Sequence, residues 1–377
     1  MRKLSIAHIA FVCLLLIASC TKEPILIEEL ESPEILEAPF NLETEEALEA
    51  FAQHLENNPA QNRHRVIHLR KGSHNQLQAI VDASKPFDHI IIDKGAHYED
   101  KTVYIHHPLF IQGEEGATLY SGVQAIPTFD AGLLQPAIHV LNTRRVMIWN
   151  VDFKPIHEAG GIGVLIEQSK RCLVAKSSFY DFQSGIATQH GDYAYIWKNE
   201  VHSTPKGFTG EVADVYGIWI INGDKVRVVD NVVTNSIFGI WSCDLEGLAA
   251  RNECYNNFIG MILCNVPPAY QLPSGTVGSE NPGSRWLYRD NYSHDNVEVG
   301  ILVIDGAADN RVYRNRGGNN GTYDIDVSGP SSRFGFPVPG SFRNRINSTD
   351  YSNTTIRDCG EDNTIIGGTL IKDAVCD

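Results

Sequence analysis

The chain has 377 residues, 42% of them apolar, and a formal net charge of −15. That length suits one or two ordinary domains, or a single elongated body of repeats. The negative charge and the lack of a basic stripe exclude a nucleic-acid surface, and no apolar run beyond the N-terminus is long enough to cross a bilayer.

The N-terminus carries Arg2 and Lys3, an apolar run from Ile6 to Ile17, and then Ala18-Ser19-Cys20. These are the charged, apolar and small-residue zones of an export signal over residues 1–19, too short to span a membrane as a mature helix. Ile17-Ala18-Ser19-Cys20 resembles the lipobox of bacterial lipoproteins. The resemblance implies cleavage before Cys20, lipidation of its thiol, and a place in the bacterial cell envelope, periplasmic or outward-facing. The lipid would then be the only membrane anchor. An ordinary cleaved signal with an incidental cysteine is the alternative.

Residues 20–58 read as an acidic tether. From Thr21 to Asn58 eleven Glu face the single Lys22, so this stretch carries −10 and the body from Pro59 only −7. Such a segment repels itself and stays extended. At its end Leu48, Phe51, Ala52 and Leu55 fall at helical spacing after Thr44, which predicts a short amphipathic helix. A helix there would cover the open end of a repeat stack.

The body, residues 59–377, repeats a glycine followed by alternating apolar residues: GVLIE at Gly163, GIATQ at Gly185, GIWII at Gly217, GIWSC at Gly239, GMILC at Gly260 and GILVI at Gly300. The gaps are 22, 32, 22, 21 and 40 residues, a unit of about 22 with two insertions. Each unit holds three short strands; in the unit at Gly217 these are GIWII, VRVVD and VVTN. Successive units stack about 4.8 Å apart, so each strand joins a long parallel sheet. In step with the glycines runs a small polar residue two positions before the third strand's inward residue: Ser177, Asn199, Asn231, Asn252, Asn291 and Asn315. Asparagine tolerates the left-handed turn conformation, and its amide both donates and accepts, so an internal ladder is expected.

On these residues the chain resembles right-handed parallel β-helix proteins of the pectate-lyase-like class, from about Val66 to the C-terminus. The opening LQAIVDASKPFDHIIIDKGAHYEDKTVYIHHPLFIQGEEGATL, with a helix over 75–83, and the closing DCGEDNTIIGG are similar to that class. The resemblance implies an all-β fold: a single-stranded right-handed parallel β-helix of roughly ten coils with an N-terminal capping helix. It also implies polysaccharide bound over the first-strand sheet. Three insertions flank that sheet, at 203–215, 266–284 and 328–342, and loops of this kind carry function. Pro267, Pro268, Pro273 and Pro282 stiffen the second.

Strand alternation sends the residue after each glycine inward and the next outward. The outward residues are Leu165, Ala187, Trp219, Trp241, Ile262 and Leu302, a face too apolar to be merely solvated. Trp219 and Trp241 are expected side by side, either as a sugar-stacking platform or buried beneath the insertions with their N–H groups on loop carbonyls. Two residues further on, Cys243 and Cys264 are outward neighbours, as a disulfide or as two covered thiols. Cys359 with Cys376 would close the last segment; Cys172 and Cys254 complete the mature body's cysteines, and no C-x-x-C pair suggests zinc.

Five residues after each glycine stands a polar column: Gln168, His190, Asn222, Asp244, Asn265 and Asp305, with Asp326 continuing it from Gly321. Such residues cap turns at strand ends. As functional groups they could bind calcium or supply acid–base chemistry, and His190 is the member whose ordinary pKa lies near neutrality. The candidate catalytic residues are therefore His190, Asp244 and Asp305; Trp219, Trp241 and Asn222 are the candidate carbohydrate contacts, and no metal site is assigned. The outward columns contain no Arg or Lys, which argues against a lyase on this face. Lys206, Arg285 and Arg333 stand in or beside the insertions. Gln189-His190-Gly191 only half resembles the Gly-His-Gly motif of the hydrolase relatives. Two classes of function stay open: a polysaccharide-engaging β-helix acting as a lyase or hydrolase, or a non-catalytic carbohydrate-binding or scaffolding lipoprotein that docks a protein partner.

Overall fold

The computed structural model describes residues 50, 65–126, 135–203, 215–265, 285–333, 336–371 and 376. The chain divides after Arg63. Of the first unit only Ala50 is described, so the expected signal, the lipidated Cys20 and the helix around Leu48 and Leu55 lie outside the described residues.

The second unit is a parallel β-helix with one face per strand type. Its first, second and third sheets contain eleven, twelve and nine strands. The coil at Gly217 shows the plan: Tyr216–Asp224 in the first sheet, Arg227–Val229 in the second and Val232–Thr234 in the third. Adjacent coils pair in register, Ile186 with Ile218 and Ile218 with Ile240, so side chains of one column stack on their own kind. Ile186, Ile218, Ile240, Met261 and Ile301 are buried in one continuous core. Each such side chain contributes about 1.5–3 kcal/mol by leaving water.

The refrain glycines answer a need for space. A Cβ on Gly217 would lie 2.5 Å from the Gly239 carbonyl oxygen, and one on Gly239 would lie 2.3 Å from that of Gly260. Both are inside any tolerable carbon–oxygen contact, so coils can stack here only without a side chain.

The asparagine ladder forms as expected. Asn231 donates its backbone N–H and its amide N–H to Asn252 Oδ1, both at 3.0 Å. Asn252 does the same to Asn291 at 2.9 Å, and Asn291 to Asn315. The left-handed turn residue is not the asparagine, however. It is the residue before it: Lys198, Asp230, Arg251, Asp290 and Arg314 have φ between 50° and 56°. The bend sits where the side chain can leave for solvent, which frees the asparagine to point inward. A second ladder, three residues after the third strand's inward position, runs from Ser236 through Asn257 and Asn296 to Asn320. A third runs from Asn310 through Asn344 to Asn363.

The helix covers Leu77–Ala83, two residues shorter at its start than expected, because Asn75 is left-handed at φ 54°. Glu99 Oε1 accepts from the N–H groups of Gln76 and Leu77 at 2.9 and 2.7 Å, satisfying donors that a helix start leaves open. Leu77 and Val81 face the core. The Gln78 amide accepts from the Tyr104 N–H and donates to the Tyr104 carbonyl. It thus blunts the edge of the first-sheet strand Val103–Ile105, which would otherwise offer open pairing groups.

Residues 204–214 and 266–284, the bulk of two insertions, and with them Lys206, lie outside the described residues. The third insertion contains an antiparallel pair, Ser331–Arg333 with Phe336–Val338, directly after the first-sheet strand Tyr323–Val327. Cys359 and Cys376 form the expected disulfide. Cys243 and Cys264 also form one, resolving the two options in favour of a covalent link between neighbouring coils.

Candidate functional site

The outer face of the first sheet changes character along its length. Its middle is apolar: Leu165, Ala187, Trp219, Ile262 and Leu302 are nine-tenths or more buried. Trp219 and Trp241 are register partners, as expected. Trp219 is only 5% exposed, and its ring stacks on Tyr216 at 5.4 Å. Trp241 is half-buried, with the edges of Tyr216 and Phe238 against it at 5.4 and 4.8 Å. The pair is therefore not a platform of two open indoles; Trp241 alone keeps open surface.

The polar column at the end of these strands separates into two kinds of residue. Gln168, His190, Asn222 and Asp305 have φ between 47° and 58°, so they make the turn out of the sheet. Asn222 is 4% exposed, while His190 and Asp305 are half-buried. Asp244 differs. Cys243 to Leu245 takes two steps where Ile221 to Asp224 takes three on the coil before, so the turn made at Asn222 is missing here, and the left-handed Glu246 stands beside the left-handed Lys225. Asp244 is then fully buried, where its Oδ1 accepts from the Leu245 N–H and its Oδ2 finds no partner. Burial, helped by the negative charges of Asp224 and Asp192, pushes its carboxyl up to about 8. At neutral pH it is mostly an uncharged acid inside the wall. His190, Asp244 and Asp305 are two coils apart from one to the next, roughly 10 Å at the spacing of parallel strands. The structure aligns them without bringing any two together.

Asp326 does not continue this column. Ile325 pairs with Ile301, and Asp326 with Leu302, so Asp324 rather than Gly321 stands in the place of the refrain glycine. Asp326 thus extends the outward column of Trp219 and Trp241, and the next coil adds Arg357 beside it. The expectation of no Arg or Lys on this face is overturned at its C-terminal end. Arg357 grips Asp326 with two parallel bonds, Nε to Oδ1 at 2.8 Å and Nη2 to Oδ2 at 2.5 Å. That grip raises the guanidinium further above its ordinary value. The Asp326 side chain is 3% exposed and that of Arg357 27%.

A cavity of about 190 Å³ opens at this pair. Ile259, Val299 and Leu302 line it together with the charged Asp326, Arg357 and Glu298. The Cys359–Cys376 disulfide also borders it. The alternation in YDIDV and TIRD was the available signal for this site, since it sets Ile325 and Ile356 inward and their successors outward.

The N-terminal end of the same column is polar as well. Tyr104 pairs with His139, and His139 with Leu165. His139 Nε2 lies 2.7 Å from Glu167 Oε2. Burial holds the imidazole below its ordinary value, although Glu167 pulls the other way. Among the described residues, no group of three or more His, Cys, Asp or Glu side chains is placed to hold a metal ion such as calcium.

No protein-family model matches the chain, and no curated protein does. Among solved structures it is similar to a polygalacturonase from Erwinia carotovora ssp. carotovora, with a TM-score of 0.54 at 9% identity over 84% of this chain and 98% of that one. It is similar to PfbA, a surface adhesin of Streptococcus pneumoniae, with a TM-score of 0.50 at 12% identity over 80% and 88%. Against ORF18 of Geobacillus virus E2 the TM-score is 0.43 at 11% identity, with 81% of this chain covering 60% of that one. Identities this low establish the fold, a right-handed parallel β-helix, and not the activity.

Proposed function

We propose that this right-handed parallel β-helix engages a polysaccharide over the outer face of its first sheet. The observation that carries the reading is the cavity at Asp326 and Arg357, which places hydrogen-bonding charge at the end of an apolar, aromatic-bearing face. Apolar walls with a few convergent polar groups are the usual make-up of a small-molecule site. A polygalacturonase and a surface adhesin share the fold, so both cleaving and adhering proteins are built on it. Binding without cleavage fits this chain better. Glycoside hydrolysis needs two carboxyls facing one bond, whereas His190, Asp244 and Asp305 lie two coils apart and Asp244 is sealed in the wall.

The test is incubation of the chain with a panel of neutral and uronate-containing polysaccharides, following retention together with product formation. Retention is expected without ultraviolet-absorbing elimination product and without new reducing ends. Product of either kind would restore the catalytic reading, with His190 and Asp305 as the groups to replace first. Loss of retention across the whole panel would remove polysaccharide as the partner and favour a scaffold that docks a protein.

The lipobox-like Ile17-Ala18-Ser19-Cys20 supports attachment to the cell envelope through lipid on Cys20. Among the described residues, no helix is long and apolar enough to cross a membrane. Replacing Cys20→Ala is expected to move the protein from the membrane fraction to the soluble fraction. A variant that stays with the membrane would count against the lipid anchor.

A further inference from the structure

We infer, resting on the polysaccharide reading, that the cavity at the C-terminal end of the first sheet is a subsite for one uncharged sugar ring and rejects uronates. Size sets the occupant. A closed cavity of about 150 Å³ holds benzene, so this one of about 190 Å³, open to solvent, receives part of one sugar ring and leaves the rest outside. Ile259, Val299 and Leu302, each nine-tenths or more buried, give the lining small apolar contacts, and the charged side chains beside them can meet ring hydroxyls.

Charge sets the selectivity. Asp326 and Glu298 stand against the single cation Arg357, so these three groups carry one net negative charge. A uronate carboxylate would seek the Arg357 fork, but that fork already holds Asp326. Displacing it would strand Asp326 with only 3% of its side chain in water, and a buried charge that loses its partner is strongly destabilising. Glu298 would repel the same carboxylate; it is exposed and close enough to act on Arg357. Hydroxyls meet neither obstacle, since they donate to carboxylates and accept from a guanidinium. Register places Leu302, Asp326 and Arg357 on successive coils in one column. A glycan lying along the sheet would therefore reach the cavity with its end.

The test is calorimetric titration of the full chain at low salt with neutral glucan, galactan, mannan and xylan fragments and with oligogalacturonate. A neutral fragment is expected to bind about tenfold or more tightly than oligogalacturonate. Glu298→Lys, at an exposed position, is expected to raise oligogalacturonate affinity about tenfold relative to the neutral ligand. Leu302→Trp, which fills the cavity, is expected to weaken the neutral ligand about tenfold. Preference of the native chain for oligogalacturonate, or no change in either affinity with Glu298→Lys, overturns the subsite and leaves polysaccharide binding standing. If no fragment of either kind binds, the polysaccharide reading itself fails and takes the subsite with it.

Discussion

Two of the polar stacks that climb this β-helix obey different rules. The ladder at the turn between the second and third strands, Asn199 to Asn315, is buried, and each inner amide accepts from the coil before and donates to the coil after. The column that ends the first-sheet strands, five residues after each refrain glycine, holds similar residue types. Asp244 Oδ2, Asp224 Oδ1 and Asn265 Oδ1 find no partner there. The first stack lies between strands whose register never changes, so an amide on one coil always meets an amide on the next. The second stands where insertions enter and where the register shifts between Ile221 and Asp224. Where the register shifts, Asp244 Oδ2 meets no partner on the next coil, and the buried carboxyl keeps its proton instead.

Breaking the satisfied stack should have the largest effect. Asn252 Oδ1 accepts two bonds from Asn231, and its amide nitrogen donates to Val228 O at 2.8 Å and to Asn291 Oδ1 at 2.9 Å. Asn252→Ala leaves those groups buried and short of a partner, at about 1–3 kcal/mol for each one that water does not reach. A loss on the order of 4 kcal/mol is expected in denaturant unfolding. Ser177→Ala at the start of the ladder is the control. Ser177 Oγ accepts only from the Val151 N–H, at 3.2 Å, and donates to Ala175 O, so about 1 kcal/mol is expected. Equal losses at the two positions would show that the ladder is not a cooperative element.

The same contrast decides what the sequence made legible. Gly217 followed by Ile218, and Asn231 followed at plus two by Val233, are set by packing inside one coil and against the next, which repeat for every unit. The stacked three-strand coils, the core and the first ladder were therefore readable from spacing, and the right-handed helix from the resemblance those residues carry. Asp326 was misplaced because its strand lacks the refrain glycine: Asp324 stands there, and counting from Gly321 shifted the register. Arg357 was missed because its strand, Thr355–Asp358, follows the third insertion, beyond the last recognisable repeat. Whether Trp219 would be open depended on what surrounds the face, such as Tyr216 stacked on it, and no alternation pattern within GIWII records that. The cavity depends on four coils and a disulfide at once, so no single motif announces it.

The unsatisfied column can be probed with a change that is small near pH 5 and distinctive in its pH dependence. The folded chain holds the Asp244 proton up to about pH 8, against an ordinary value of 3.8 that the unfolded chain approaches. Between those values the folded state binds more protons than the unfolded one. Stability from this group is therefore complete below about pH 4, falls as pH rises, and is fully lost above about pH 8, with a limiting slope of about 1.4 kcal/mol per pH unit. Asp244→Asn keeps the shape and removes the titration. At pH 5 the variant should differ from the native chain by about 1 kcal/mol or less, and its advantage should then grow steadily toward pH 8. Melting temperatures across pH 4 to 8 check this, compared as the difference between the two proteins so that other carboxylates cancel. A flat difference would mean that Asp244 ionises in the folded chain and has a partner, which would make the two stacks alike.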